Sequence, residues 1–402
     1  SASYEDNVRS LPEFYYRTNL GIHPPMEFPN DNLALRNPTH NEAIKSIRGT
    51  TLKVSGKDAP LNNLSSIKTL SLIKSDVNGK YSALDIHGIS FNLLNGLKKL
   101  EMMPDENVSL ELLPQSIKEL NLQGSRKTIE VTVIPKPISG NQYVINGVAR
   151  DTIFLYRGHT YRFNLSHKSL VPTTDFETHH PLRFTETMGG HHSGGIPFTQ
   201  GVVVYKNIGE SGAYIEITID DTTPETLYYH CMNHSEMGGE IQVRNHFTNN
   251  ELNLSTKTSL KKLFVNDDNL DRLTLPSGDS LNILDCSGNN ISSIDIRNHP
   301  YLYSVNVSYN NISSIDLANF GSFDGDGTID ISHNDITNLS LPVFYGNTKL
   351  RHLSAHDNPL VIAALQDNNK IDVIDLSYTN LAFFEIPSGT EVKELYLHNS
   401  RS

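Results

Sequence analysis

The sequence predicts a mainly β protein, a solenoid of short repeated coils interrupted by a β-sandwich. Three observations predict it. Apolar residues recur at fixed intervals through the C-terminal part, and the same spacing returns less regularly near the N-terminus. Between them lie short β-branched and aromatic segments separated by Gly, Pro, Asn and Asp. The chain divides accordingly into an irregular arm at 1–42, degenerate repeats at 43–126, a sandwich at 127–245 and a regular solenoid at 246–402.

In the regular block, Leu260, Leu263, Val265, Asp268 and Leu270 set a template that returns as Leu281, Leu284, Cys286, Asn289 and Ile291. Further copies begin at Leu302, Asp326, Leu350, Ile371 and Val392, at steps of 21, 21, 24, 24, 21 and 21 residues; only Asp326 is off type at the first position. The pattern resembles the leucine-rich repeat, L-x-x-L-x-L-x-x-N-x-L. That resemblance implies one short strand per coil, with alternate side chains entering the solenoid and an asparagine bonded to the turning backbone. Cys286 then reads as a small buried hydrophobe, because its siblings are Val265, Val307, Ile331, Ala355 and Leu376. The N-terminal copies are Ile67-Leu70-Leu72, Leu97-Leu100-Met102 and Ile117-Leu120-Leu122, with Ile44 and Ile47 as a degenerate start. The outward row Phe264, Asp285, Asn306, Asp330, Ser354, Asp375 and Tyr396 suggests a recognition face for a polar or basic ligand. LYLHNSRS follows the last repeat strand directly, so a partner or another subunit is expected to cover that solenoid end.

The arm carries Tyr4, Phe14, Tyr15, Tyr16 and Phe28 without sustained periodicity. It reads either as an irregular segment lying across its own domain or as a docking segment that orders on a partner.

Seven or so strands are expected between 127 and 245, from KTIEVTVIP to TLYYHC. The last leads into Cys231-x-x-His234-x-x-Met237, and His180 lies upstream in THHPLRF. A thiolate, two imidazoles and a weak thioether are the donor set of a blue-copper site. The insert resembles the cupredoxin family, and its loop is similar to the short ligand loop of the amicyanins. The resemblance implies a single type 1-like copper ion held by His180, Cys231, His234 and Met237. Copper is preferred over zinc because of the thioether. His179 and Met232 are the competing neighbours. Strand alternation turns one of His179 and His180 inward and the resemblance favours His180, while Met232 follows Cys231 directly and is expected to point away. His191 and His192, in MGGHHSGGIPF, read as solvated loop residues or as a second metal or proton site. Asp324-Gly325-Asp326-Gly327 reads as a turn rather than a calcium loop, and the sequons at Asn306 and Asn311 as fortuitous products of the asparagine ladder.

Composition narrows the function classes. A formal net charge of −12 argues against nucleic-acid and anionic-membrane partners. No apolar run reaches membrane-spanning length, and no signal peptide is visible, although one could have been removed before Ser1. Two cysteines in different domains argue against a disulfide framework. With no further His-rich ligand set beyond the glycine loop, an enzyme is not expected. Domains with HPLRF and C-x-x-H-x-x-MG are similar to those of marine bacterial and bacteriophage structural or adhesion proteins. That resemblance implies an oligomeric virion or cell-surface component that binds protein partners or other subunits. The alternative is a copper electron-transfer protein.

Overall fold

The computed structural model describes residues 95–400, apart from short gaps at 103, 107, 124–127, 136–139, 174, 321–322, 324, 345, 347 and 368. Upstream it describes Phe91 and the backbone of short strands between 32 and 87. The arm's aromatic residues lie outside the described residues. Among the described residues helix is limited to 3-10 turns of three or four residues.

Eleven strands form one parallel sheet. From one edge they run Asn32–Ala34, Thr69–Leu72, Lys99–Met102, Glu119–Gln123, Lys262–Asn266, Ile283–Asp285, Ser304–Asn306, Asp326–Asp330, Lys349–Ser354, Lys370–Asp375 and Glu391–Tyr396. Each is the L-x-L strand of one coil, except Asn32–Ala34, which the repeat spacing does not announce. Leu120, Leu263, Leu284, Val305, Ile329, Leu353 and Ile374 stack inward as one column, almost wholly excluded from solvent. Cys286 lies among them, and burial pushes its thiol up.

Two expectations need correction. Ile44 and Ile47 do not open a coil; Ile44–Arg48 pairs antiparallel with Thr51–Val54 in a separate four-stranded sheet. In the Asp326 coil the residue opposite Leu350 is Gly327, with a bulge before Thr328. The ring of Phe323 occupies the space a Gly327 side chain would need, supplying apolar volume from the loop instead of the strand. Asp326 itself pairs with Arg351 at 2.6 Å.

Between strands the chain must turn with its polar groups enclosed, and the asparagines solve this. Asn310 donates to the carbonyls of Cys286 and Val307, both at 3.0 Å, while its Oδ1 accepts from the Ile291 N–H at 3.0 Å. Asn289, Asn334 and Asn358 repeat the arrangement one coil apart. The outward row is also occupied with turning the chain. Asp285, Asn306, Asp330 and Asp375 each accept, through Oδ1, the backbone N–H two residues on. That row is a set of Asx turns before it is a recognition face.

The chain leaves the solenoid after Glu119–Gln123 and re-enters it at Lys262–Asn266, and these two strands pair directly. Lys257, almost fully buried, ties the blocks by donating to the carbonyls of Glu111 and Leu113, both at 2.7 Å. The intervening residues build two sheets around a separate core. One runs Val148–Ala149, Gln142–Ile145, Thr128–Ile134, His159–Asn164, Tyr214–Ile219 and Val202–Tyr205; the other runs Ile153–Tyr156, Gly239–Arg244, Thr226–Cys231 and Leu182–Thr185. The joint with the solenoid is polar and buried. Arg244 meets Asp105 at 2.7 Å, Tyr156 donates to the same carboxylate oxygen at 3.1 Å, and the Tyr156 ring stacks on His246 at 4.1 Å.

Two substitutions test these supports by chemical denaturation. Asn310→Ala should lower stability by roughly 2–4 kcal/mol, since it strands two carbonyls and one N–H between coils. Arg244→Ala should cost about 3–5 kcal/mol by leaving the Asp105 carboxylate enclosed without its cation.

Candidate metal centre

Strand alternation decides what the Thr226–Cys231 strand presents. Leu227, Tyr229 and Cys231 face the core of the insert, while His230 lies on the opposite face beneath Gly190. Leu182 pairs with Cys231 across the sheet, and the Met232 N–H donates to the Pro181 carbonyl at 3.0 Å. This register carries His180, two residues before Leu182, alongside the loop that follows Cys231. The loop turns back through Glu236 at φ 60°, and Gly238 lies so close to the Tyr229 carbonyl that any Cβ would overlap it.

Three of the four expected residues converge. His180 Nδ1 lies 3.1 Å from His234 Nδ1, and Cys231 Sγ lies 3.9 Å from the first and 3.5 Å from the second. Metal–nitrogen bonds of about 2.0 Å and metal–sulfur bonds of about 2.3 Å would separate such donors by roughly 3.3–3.7 Å. The observed separations of 3.1, 3.5 and 3.9 Å bracket that range, so shifts of a few tenths of an ångström would seat one ion. Met237 is buried in the same core, and its carbonyl accepts from the Tyr143 N–H at 3.0 Å. His179 turns away, its Nε2 2.9 Å from the Thr173 carbonyl.

Several supporting residues were not anticipated. Asn141 contacts His180 Nε2 at 3.1 Å, and an amide turned to present its oxygen would leave Nδ1 free to bind a metal. Tyr143 donates to the His180 carbonyl at 2.8 Å. Asn233 donates to the carbonyls of Phe176 and His179, both at 3.0 Å, fastening the ligand loop to the His180 segment. Asn141 and Tyr143 lie far upstream in sequence, so no spacing signal pointed to them; Asn233, between Cys231 and His234, could have been suspected.

Burial favours the neutral forms of His180 and Cys231. Burial pushes His180 down to about 4, with His234 and then His179 adding to the effect. Burial raises the Cys231 thiol, while the backbone N–H groups of Asn233 and His234 and the Tyr143 hydroxyl oppose that rise. His234 is half-buried and borders an open cleft of about 1050 Å3, lined also by Phe176, Arg183, Ile208 and Glu210. His191 and His192 stand exposed on a tight 3-10 turn whose Gly190 rests on His230.

Compared with known proteins, residues 300–360 match the leucine-rich repeat family model. No curated protein matches the chain. Among solved structures it is similar to the functional domain of InlJ from Listeria monocytogenes, which includes a cysteine ladder. The identity is 13% and the TM-score 0.38, over 86% of this chain and 56% of that one. The chain thus spans a little over half of that protein's length. The fold is a mainly β solenoid of stacked coils, and its residues 300–360 match the leucine-rich repeat.

Acidification should destabilise the fold. His180 and His230 are held down to about 4 and His246 to about 3, in each case chiefly by burial. The unfolded chain takes up these protons from about pH 6.5 downward. The folded chain takes them up only near pH 4 or below, so stability falls as the pH drops through that window. Asp268, raised by burial, works in the opposite sense but is one group against these three and His299, which burial also lowers. Denaturation midpoints at pH 7, 5.5 and 4.5 should decrease in that order, less steeply in His180→Ala.

Proposed function

We propose that this is a binding or structural protein whose solenoid engages a protein partner and whose inserted β-sandwich holds one copper ion. In this reading His180 Nδ1, Cys231 Sγ and His234 Nδ1 would hold the ion, with the Met237 thioether as a weak fourth donor. The observation that carries it is the mutual approach of those three atoms at 3.1, 3.5 and 3.9 Å. Thiolate with imidazole is a soft and borderline set that suits copper, and the thioether favours copper over zinc. A bound copper ion would supply a one-electron couple, while the chain's part is to fix the donors and keep water from the sulfur. Tyr143, Asn141 and Asn233 hold the two loops in place, so binding would also clamp them together.

The resemblance of THHPLRF and C-x-x-H-x-x-MG to segments of bacterial and phage structural proteins supports a place in an oligomeric surface layer or virion. A second reading, electron transfer, is favoured by His234 standing at the wall of the open cleft, where a partner could approach it.

Titration of the metal-free protein with Cu(II) tests the site. One equivalent should produce an intense visible thiolate-to-copper band and raise thermal stability, by about 2.7 kcal/mol at a hundredfold excess over Kd. Cys231→Ser should abolish the band. No band and no stabilisation would sink the copper reading, and stabilisation by zinc alone would replace copper with zinc. Reversible cycling of the band with outer-sphere reagents would favour electron transfer over a purely structural role.

A further inference from the structure

Every regular coil of the solenoid passes through one left-handed backbone position, immediately before the ladder asparagine or its equivalent. Its occupants are Asp267, Gly288, Tyr309, His333, Asp357, Tyr378 and Asn399, with φ between 51° and 67°. Glycine or asparagine takes this conformation at least cost, and a histidine or tyrosine is disfavoured there. Neighbouring coils lie about 4.8 Å apart, so the side chains at this position form a column along one edge. At two adjacent steps the column carries His333 and Asp357, and His356 precedes Asp357 directly.

These three side chains face one another. Asp357 Oδ2 lies 2.6 Å from His356 Nδ1 and 3.7 Å from His333 Nε2, and all three donor atoms fall within 4.8 Å of one another. The His333 ring is held on one side by Tyr309, stacked at 4.0 Å and nearly parallel, and meets the His356 ring edge-on at 4.8 Å. Beneath them the His333 N–H donates to the His356 carbonyl at 3.0 Å, which fixes the two coils in register. The side chains are about one-third exposed, so the group is open to solvent.

We propose that His333, His356 and Asp357 form a second metal site, on the solenoid edge, for a borderline divalent ion such as Zn(II). Two imidazoles and a carboxylate with the remaining positions open are the donor pattern such ions accept. The set has no sulfur, which separates it chemically from the centre in the insert. The open positions are available to water or to a donor from a bound partner. The proposal is independent of the copper reading, since it shares no residue with that centre.

The experiment is Zn(II) titration by calorimetry of the full chain carrying Cys231→Ser, which removes the thiolate of the other centre. At least one equivalent should bind. Adding His333→Asn or Asp357→Asn should remove one equivalent or weaken it by at least about 100-fold, given that even a partner of a ligand is commonly worth 10–100-fold. Asparagine keeps the left-handed backbone at both positions, so far-UV circular dichroism and the melting temperature without metal should be unchanged. Absence of zinc uptake by the Cys231→Ser chain would overturn the proposal. So would uptake that is the same with and without the His333 and Asp357 substitutions.

Discussion

A parallel solenoid has to turn its chain sharply at every coil, in a place closed to water, with backbone donors and acceptors pointing inward. The buried side-chain amides of Asn289, Asn310, Asn334 and Asn358 meet this requirement. Each donates to a carbonyl of its own coil and one of the coil before, and its oxygen accepts an N–H from the preceding turn. The bond therefore both closes a turn and joins two coils. Hydrophobic stacking of the leucine column supplies most of the driving force, but it is non-directional. The amides set the register in which that column can form. The neighbouring Asx turns of Asp285, Asn306, Asp330 and Asp375 work on the same bend from the outer side.

That arrangement explains how an insert of more than a hundred residues can interrupt the solenoid without breaking it. Glu119–Gln123 and Lys262–Asn266 pair residue by residue, and the Lys261 and Lys262 N–H groups both reach the Lys118 carbonyl as in any neighbouring coils. The ends of the insert are thus held together by the solenoid, and loop-closure entropy grows only slowly with the length between them. The two bodies keep separate apolar cores and meet through Asp105, Arg244, Tyr156 and His246. A polar joint specifies orientation, because its hydrogen bonds are directional and each partner is costly to leave unmade.

Much of this was legible in the residues. The spacing from Leu260 to Leu397 located every C-terminal coil, since one residue type per inward position is what coil stacking demands. Where a loop residue took over a strand's duty, as Phe323 does for Gly327, the linear pattern was off by one. Ile44 and Ile47 carried the right spacing but not the right partners, since two apolar residues fit an antiparallel strand equally well. At the candidate metal centre, donor types and the three-residue rhythm of the loop pointed to His180, Cys231 and His234, which the fold brings together. Asn141, Tyr143 and Asn233 escaped notice because hydrogen bonding to a ligand or to its backbone leaves no mark on spacing. His333, His356 and Asp357 were hidden differently: they sit one coil apart, so only stacking brings them together.

The His180–Cys231–His234 group is set by burial rather than by charge. Enclosure favours the neutral imidazole of His180 and the neutral thiol of Cys231. A cation entering there would meet one donor already deprotonated, and would have to displace the thiol proton itself. The N–H groups of Asn233 and His234 and the Tyr143 hydroxyl lie where the sulfur's charge would develop, and each favours the thiolate. They lessen the cost of that single ionisation without forcing it in the metal-free protein. A buried charge on the sulfur would therefore arise only together with a cation to pair it, which is compatible with the place of Cys231 inside an apolar core.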